Sequence, residues 1–387
     1  MLNGLDHLFE GDTQPGSVEI RQLLGDLFGG SGTDLQFIEE RQLQSHRPRV
    51  FRIKFSGAGK NYSLILKKLE PAIAQVNELV VRRWLPSVGL SASGPLLRGV
   101  AASKDGQSVW HIYEDFGDWA IDVTDPDPEC LKAAIHAIAG VHSQFQNHPL
   151  LPECRLHGTD FGVHFLGSNV RDAIRCLDAV TSRPHTGPVE EPPALTPEHD
   201  GLCGRLLIRL QHLLDEVPAR AEALAEFGGP ETLLHGDLWA TNTLVIPARG
   251  GLEARLIDWD HAGVGYITYD LSTFLLRFQR EQRQSLVELY QEAVEHSGIP
   301  VPDNDVLNHL CETAELARFA NRIIWPALAI FQDRAEWGFD ELAEIERWFE
   351  NLEPVLTTGE ESCFTHPAGH AHALAGQAGI NEMPTIH

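Results

Sequence analysis

With 387 residues, 43% of them hydrophobic and 22% charged, the chain has the composition of a folded protein and enough length for two lobes. Its 55 acidic against 30 basic side chains leave a net charge of −25, which argues against a nucleic-acid partner, because phosphates call for a cationic face. The same negative field would draw in a cationic small molecule. Six scattered cysteines, with no CxxC pair, fit neither a disulfide framework nor a zinc site. No run approaches the roughly 18 apolar residues of a membrane span, and the opening MLNGLDHLFEGD lacks a basic leader. A cytoplasmic protein with reduced thiols and no membrane partner is expected.

The elements follow in chain order. Ser17 to Phe28 reads as a helix stopped by Gly29 and Gly30. Val50 to Phe55 and Tyr62 to Lys67 alternate apolar and polar residues around a Gly57-Ala-Gly59 turn, the pattern of an antiparallel hairpin. Ala74 to Leu85 reads as a helix stopped by Pro86, and Ser108 to Tyr113 as a strand leading into the connector Glu114-Asp115-Phe116-Gly117. From there helices dominate. Pro128 to Phe145 opens on Pro and an acidic residue and repeats Leu131, Ile135, Ile138 and Val141 at helical spacing. Residues 183–198 carry five prolines and read as a mobile loop ahead of a helix from Leu202 to Val217. Leu233 to Val245 and Ala254 to Trp259 form a short β-element flanking a polar loop, and residues 281–356 read as several amphipathic helices. The Gly, Ala and His-rich tail 357–387 shows little periodicity and is expected to be disordered.

Chemistry concentrates in Leu233-Leu-His-Gly-Asp-Leu-Trp-Ala-Thr-Asn-Thr-Leu-Val245. Asp237 precedes Asn242 by five positions, and Asp258 follows in Leu256-Ile-Asp-Trp-Asp260. A single Asp beside apolar residues is more often a turn or a cap. A hairpin that brings all three to one rim would instead offer two hard oxygen ligands for Mg²⁺ and a separate carboxylate to orient a hydroxyl. Gly59-Lys60 is not a phosphate loop, since position 61 is Asn and no glycine precedes it at the required spacing.

These segments, HGDLWATNTL and LIDWDHAGVGYITYDLSTFL, closely resemble the aminoglycoside phosphotransferase-like kinases, a group that includes kinases of choline, methylthioribose, fructosamine, homoserine and maltose. The resemblance extends over about residues 36–350 and is sharpest at 233–274. It implies an α+β, protein-kinase-like two-lobed fold: an N-terminal helical extension (1–33), a β-rich N-lobe binding nucleotide (34–115), and a mainly helical catalytic C-lobe (116–356). By the same resemblance Asp237 is the catalytic base, Asn242 and Asp258 hold Mg²⁺, and Asp270 is a hydrogen-bonded scaffold residue. Lys67 in Leu64-Ile-Leu-Lys-Lys-Leu69 is favoured over Lys68 as the phosphate contact, with Glu78 its pairing carboxylate. The backbone of Tyr113 and Asp115 would meet the adenine. The nucleotide turn of the family usually contains Gly, whereas here Leu43-Gln-Ser-His-Arg-Pro-Arg49 has none, with Ser45 and Arg47 as the candidates to substitute for its phosphate contacts.

The expected activity is transfer of the γ-phosphate of ATP, with GTP as the other nucleotide, to a hydroxyl of an aminoglycoside-like, amino-alcohol or sugar acceptor. Two other readings compete. A dinuclear metallophosphoesterase would draw on His235, Asp237, Asp258, Asp260 and His261, and a kinase-like protein could bind nucleotide without catalysis.

Overall fold

The computed structural model describes residues 2–3, 16–29, 35–43, 49–57, 59–182 and 195–357. The Gly-free turn with Ser45 and Arg47, most of the proline-rich stretch (183–194) and the tail from 358 lie outside the described residues.

The N-lobe is a six-stranded sheet. In it β1 (Leu2–Asn3) runs parallel to β2 (Leu35–Gln42), while β3 (Val50–Gly57), β4 (Lys60–Leu69), β5 (Leu97–Ala102) and β6 (Val109–Glu114) complete the order β1-β2-β3-β4-β6-β5. The expected hairpin is β3–β4, running from Val50 opposite Lys67 to Gly57 opposite Lys60, and Gly59 turns the chain at φ 73°. Alternation sends Phe51, Ile53 and Phe55 of β3 to one face with Leu64 and Leu66 of β4. The helix α1 (Ser17–Gly29) covers that face, with Ile20 and Leu24 fully buried against Trp110 and Ile112. The N-terminal helix is therefore packed into the N-lobe core.

The alternation that buries Leu64 and Leu66 on the α1 side turns Lys67 to the opposite face. There α2 (Pro71–Leu79), a π-helical turn (Val80–Trp84) and α3 (Leu85–Ser87) follow one another. Helix thus continues through Pro86, where the sequence predicts a stop. The reason lies in the π turn, in which the Leu85 N–H donates to the Val80 carbonyl five residues back. This shift leaves proline, which has no N–H to offer, at the start of a fresh turn. The chain leaves the helix at Gly89, with φ 77°.

The larger lobe contains α4 (Pro128–Phe145), α5 (Leu151–His157), α6 (Phe165–Thr181), α7 (Pro197–Phe227), α8 (Thr268–Leu275), α9 (Arg280–Val294), α10 (Asn304–Asp333) and α11 (Trp337–Glu350). Helix α4 begins as the sequence predicts: Asp127 caps it by accepting from the Glu129 and Cys130 N–H groups. Two β-elements are set among these helices. One is the three-stranded sheet of β7 (Thr159–Phe161), β8 (Thr232–Leu234) and β11 (Gly263–Gly265), in the order β7-β11-β8. The other is the hairpin of β9 (Thr243–Ala248) and β10 (Gly251–Leu256). One core gathers α4, α8 and α9 under both β-elements, and a second lies between α6, α7, α10 and α11. No helix among the described residues is long and apolar enough to cross a membrane.

Candidate active site

The site grows out of the connections of these short strands. Strand β8 delivers His235, Gly236 and Asp237, and a 3₁₀ turn (Ala240–Asn242) carries the chain into β9. Because Thr243 at the start of β9 pairs with Leu256 at the end of β10, the residues just outside that pair are neighbours. The Ile257 N–H donates to the Asn242 carbonyl at 2.9 Å, and Asn242 Nδ2 donates to the Asp237 carbonyl at 2.9 Å. Hairpin register therefore brings Asp237, Asn242 and Asp258 together, although 21 positions separate the two aspartates.

Two devices hold the loop. Asp270, nearly fully buried on α8, accepts from the His235 N–H at 2.7 Å and the Gly236 N–H at 2.9 Å. His142 Nε2 donates to the same carboxylate at 3.3 Å, while its Nδ1 accepts from the Tyr290 hydroxyl at 2.8 Å. Burial alone would raise the Asp270 carboxyl, but the His142 hydrogen bond and the two histidines lower it below the usual range. Asp270 is thus a scaffold residue. Gly236 sits at φ 82°, and a Cβ there would run into the His261 carbonyl oxygen. The second device is a turn at Asp258, which adopts left-handed φ 65° and ψ 59° without being glycine. Buried Trp259 secures this strained backbone by donating from Nε1 to the Leu256 carbonyl at 2.8 Å.

Lys67 reaches this turn from the N-lobe, with Nζ donating to Asp258 Oδ1 at 2.5 Å and Asp260 Oδ1 at 2.7 Å. Burial would lower its pKa, yet the two carboxylates raise it above the ordinary lysine value, so the ammonium stays charged. Asp258 shifts upward, through burial first and then the adjacent Asp260. Two carboxylates, Asp258 and Asp260, thus share one ammonium, and Asp237 adds to the upward push on Asp258, a charge balance with room for an added cation. Asn242 fits such a cation, because its amide nitrogen is used on Asp237 and its oxygen is left for a hard metal.

The expected Lys67–Glu78 pair does not form. Glu78 accepts from Arg82 at 2.9 Å and lies 3.8 Å from His111, whereas Asn77, one position earlier, is buried and donates to Asp260 Oδ1 at 2.9 Å. Helical phase decides this: Ala74 and Asn77, three apart, turn inward together, and Glu78 falls at the half-buried edge. Tyr113 lies on β6 between β4 and β5, its hydroxyl bonded to His111 Nδ1 at 2.8 Å. The Asp115 carboxylate braces the connector, taking hydrogen bonds from Ser63 at 2.5 Å, Arg52 Nη2 at 3.2 Å and the Gly117 N–H at 2.9 Å. The site also includes residues with no distinctive sequence signal. Trp239 Nε1 donates to Asp237 Oδ1 at 2.6 Å, and Arg322 lies 3.8 Å from the same oxygen. The Arg277 guanidinium carbon stands 3.5 Å from the centroid of the Trp239 ring.

The chain belongs to the phosphotransferase enzyme family (APH), whose model matches residues 48–304. Its fold is similar to that of the Plasmodium vivax ethanolamine kinase, with a TM-score of 0.56 and 13% identity over 90% of this chain and 93% of that one. It is also similar to a spectinomycin phosphotransferase, APH(9)-Ia, solved with ADP and spectinomycin, at TM-score 0.50 and 13% identity over 89% and 96% of the two chains. A third similar structure is a GDP and kanamycin complex of an APH(2'') enzyme, at TM-score 0.52 and 14% identity over 87% and 100%. No curated protein gives a significant match to the sequence. The α+β, kinase-like fold read from the sequence is therefore present, with a small, mostly antiparallel N-lobe sheet and a larger helical lobe.

Proposed function

We propose that the protein transfers the γ-phosphate of a nucleoside triphosphate, ATP before GTP, to a hydroxyl of a small molecule, with Asp237 as the base. The observation that carries this reading is the convergence of Asp237, Asn242 and Asp258 at the hairpin mouth, with Lys67 reaching Asp258 from the other lobe. Asn242 Oδ1 and a carboxylate oxygen of Asp258 would hold Mg²⁺, which supplies charge neutralisation on the nucleotide phosphates. Lys67 would face the same phosphates, and the connector backbone at Tyr113 and Asp115 would receive the base. Glu78 enters as a more distant influence, through Arg82 and His111.

In the reaction the acceptor oxygen bonds to the γ-phosphorus as the bond from that phosphorus to the β–γ bridging oxygen breaks, releasing the nucleoside diphosphate. Asp237 orients the hydroxyl and takes its proton, and the main work of the site is positioning. Asp237 suits this task because Trp239 holds one carboxylate oxygen, which fixes the rotamer. The metallophosphoesterase reading is weaker, since His235 is not free to ligate. Its Nε2 donates to the Ile257 carbonyl at 2.7 Å and its Nδ1 accepts from the Asp237 N–H at 3.4 Å.

The direct test is nucleotide titration with and without Mg²⁺, followed by ATP-consumption assays over amino alcohols, aminoglycosides, sugars and hydroxy acids. Binding should require Mg²⁺ and be lost in Asp258→Ala. Mg²⁺-independent binding that survives this change would remove the proposed metal role, and unaltered turnover in Asp237→Ala would remove the base.

A further inference from the structure

We propose that the acceptor carries an anionic group, a carboxylate or a phosphate, held by Arg277 and Arg322 beside Asp237. This inference rests on the phosphotransferase reading and names the chemistry of its second substrate. The net charge of −25 led to a cationic acceptor, but the charge next to the base has the opposite sign. Arg322 on α10 lies 3.8 Å from Asp237 Oδ1, too far for a hydrogen bond, with 19% of its side chain exposed. Arg277, just beyond α8, stacks on the Trp239 ring whose Nε1 holds that same oxygen. Both guanidiniums therefore border the carboxylate that would face the acceptor hydroxyl.

Their donors are largely unused. A guanidinium has five N–H groups. Among the described residues neither Arg277 nor Arg322 makes a side-chain hydrogen bond, and the distant Asp237 contact is the one ion pair of the two. Arg318, on the same helix as Arg322, shows what satisfaction looks like: it pairs with Glu315 and donates to the Tyr269 carbonyl at 3.0 Å. Glu315, further held by Ser272 at 2.7 Å, is thereby consumed. Glu341 stands near Arg322 but beyond ion-pair distance, and is itself raised by burial. Burial pushes Arg277 down to about 10, which is the cost of a desolvated cation without a carboxylate against it. A ligand with anionic oxygens would relieve that cost through charge-assisted, forked hydrogen bonds.

Among the described residues no ion pair joins either guanidinium to the metal turn: Lys67 takes Asp258 and Asp260, whereas Arg322 approaches Asp237 and Arg277 stacks on the Trp239 ring that holds it. With nucleotide along Lys67 and Asp258, these guanidiniums would be left to the acceptor. Anionic oxygens could also come from the γ-phosphate, and the test separates the two sources.

Calorimetry would follow sulfate and ethanolamine binding to protein saturated with Mg²⁺ and a non-hydrolysable ATP analogue, so that the γ-phosphate position is filled. Sulfate should bind saturably and more tightly than ethanolamine. Arg322→Gln and Arg277→Gln should each weaken sulfate by about 10–100-fold, with the analogue's affinity and the melting temperature retained. Arg322→Lys should recover part of the loss. Sulfate affinity equal in the variants, or no saturable sulfate binding, would overturn the proposal. So would sulfate binding seen only without the analogue, which would assign the guanidiniums to the γ-phosphate. Failure of the analogue itself to bind would count against the phosphotransferase reading, and sulfate on nucleotide-free protein would still report on the arginines.

Discussion

Two groups of side chains differ in charge: Asp258 and Asp260 with Lys67, beside Asn242, and Trp239, Arg277 and Arg322 at the Asp237 carboxylate. The first group is excess carboxylate balanced by a single ammonium that spans the lobes at 2.5 and 2.7 Å. The second is two guanidiniums whose one ion pair among the described residues is the 3.8 Å approach of Arg322 to Asp237, with Arg277 resting on an indole ring. A base between an anionic wall and a cationic wall polarises the site. Under the proposed function, metal and nucleotide phosphates would sit with Lys67 and the carboxylates, and the anionic group of the acceptor with the arginines. The whole-chain charge of −25 reports neither wall, because a field summed over a surface says little about groups within about 4 Å of the reacting atoms.

The change that tests this comparison most severely removes the residue between the walls. Asp237→Asn should lower turnover by about 10²–10⁴-fold, or roughly 3–5 kcal/mol in barrier. Nucleotide affinity should change little if Asp237 serves the acceptor side. A large loss of Mg-nucleotide binding in this variant would move Asp237 into the metal wall and collapse the distinction. Next in size is Gly236→Ala. The positive φ alone costs about 1–3 kcal/mol, and the added Cβ meets the His261 carbonyl as well. Since Gly236 and Asp270 place the whole loop, metal and acceptor functions should fail together with a lowered melting temperature. Loss of one function alone would show that the two walls are positioned independently.

The sequence revealed the carboxylate wall far better than the arginine wall, for a physical reason. Asp237, Asn242 and Asp258 flank one hairpin at its open end, so their meeting follows from strand register, which short-range patterning encodes. The β3–β4 hairpin and the start of α4 at Pro128 were likewise legible from short-range patterning. Alternation separates Lys67 from Lys68, and the family resemblance, not the alternation, chose between them. The partner of Lys67 was not legible, because the choice between Asn77 and Glu78 depends on helical phase to within one residue, and that phase is set by packing against Asp260. Pro86 misled because a π turn changes the rule for proline, and nothing local announces such a turn. Arg277 and Arg322 come from the end of α8 and the middle of α10, and no short motif joins two positions 45 apart in sequence. Tertiary packing alone makes them neighbours of Asp237.

Smaller effects sharpen the picture. Trp239→Phe keeps a ring beneath Arg277 but deletes the donor to Asp237 Oδ1. One hydrogen bond to a charged group corresponds to about a tenfold loss in turnover, with little change in nucleotide affinity. Turnover and pH profile identical to the unmodified protein would show that Asp237 is oriented by other means.

The last prediction concerns acid stability of the loop that both walls share. The Asp270 carboxyl is held below its ordinary value because the His142 hydrogen bond, the two histidines and the His235 N–H outweigh burial. In the unfolded chain the same carboxyl titrates near about 3.9. The folded state therefore binds fewer protons in that interval, and stability falls as pH falls. The contribution is complete above the unfolded value and is lost as pH drops through the lower, folded one. Denaturant unfolding between about pH 6 and pH 3 should show the stability gap between the unmodified protein and Asp270→Asn narrowing below about pH 4. A gap that stays constant across this range would mean that Asp270 holds the loop by shape and neutral hydrogen bonding, and that its charge contributes nothing to placing Asp237.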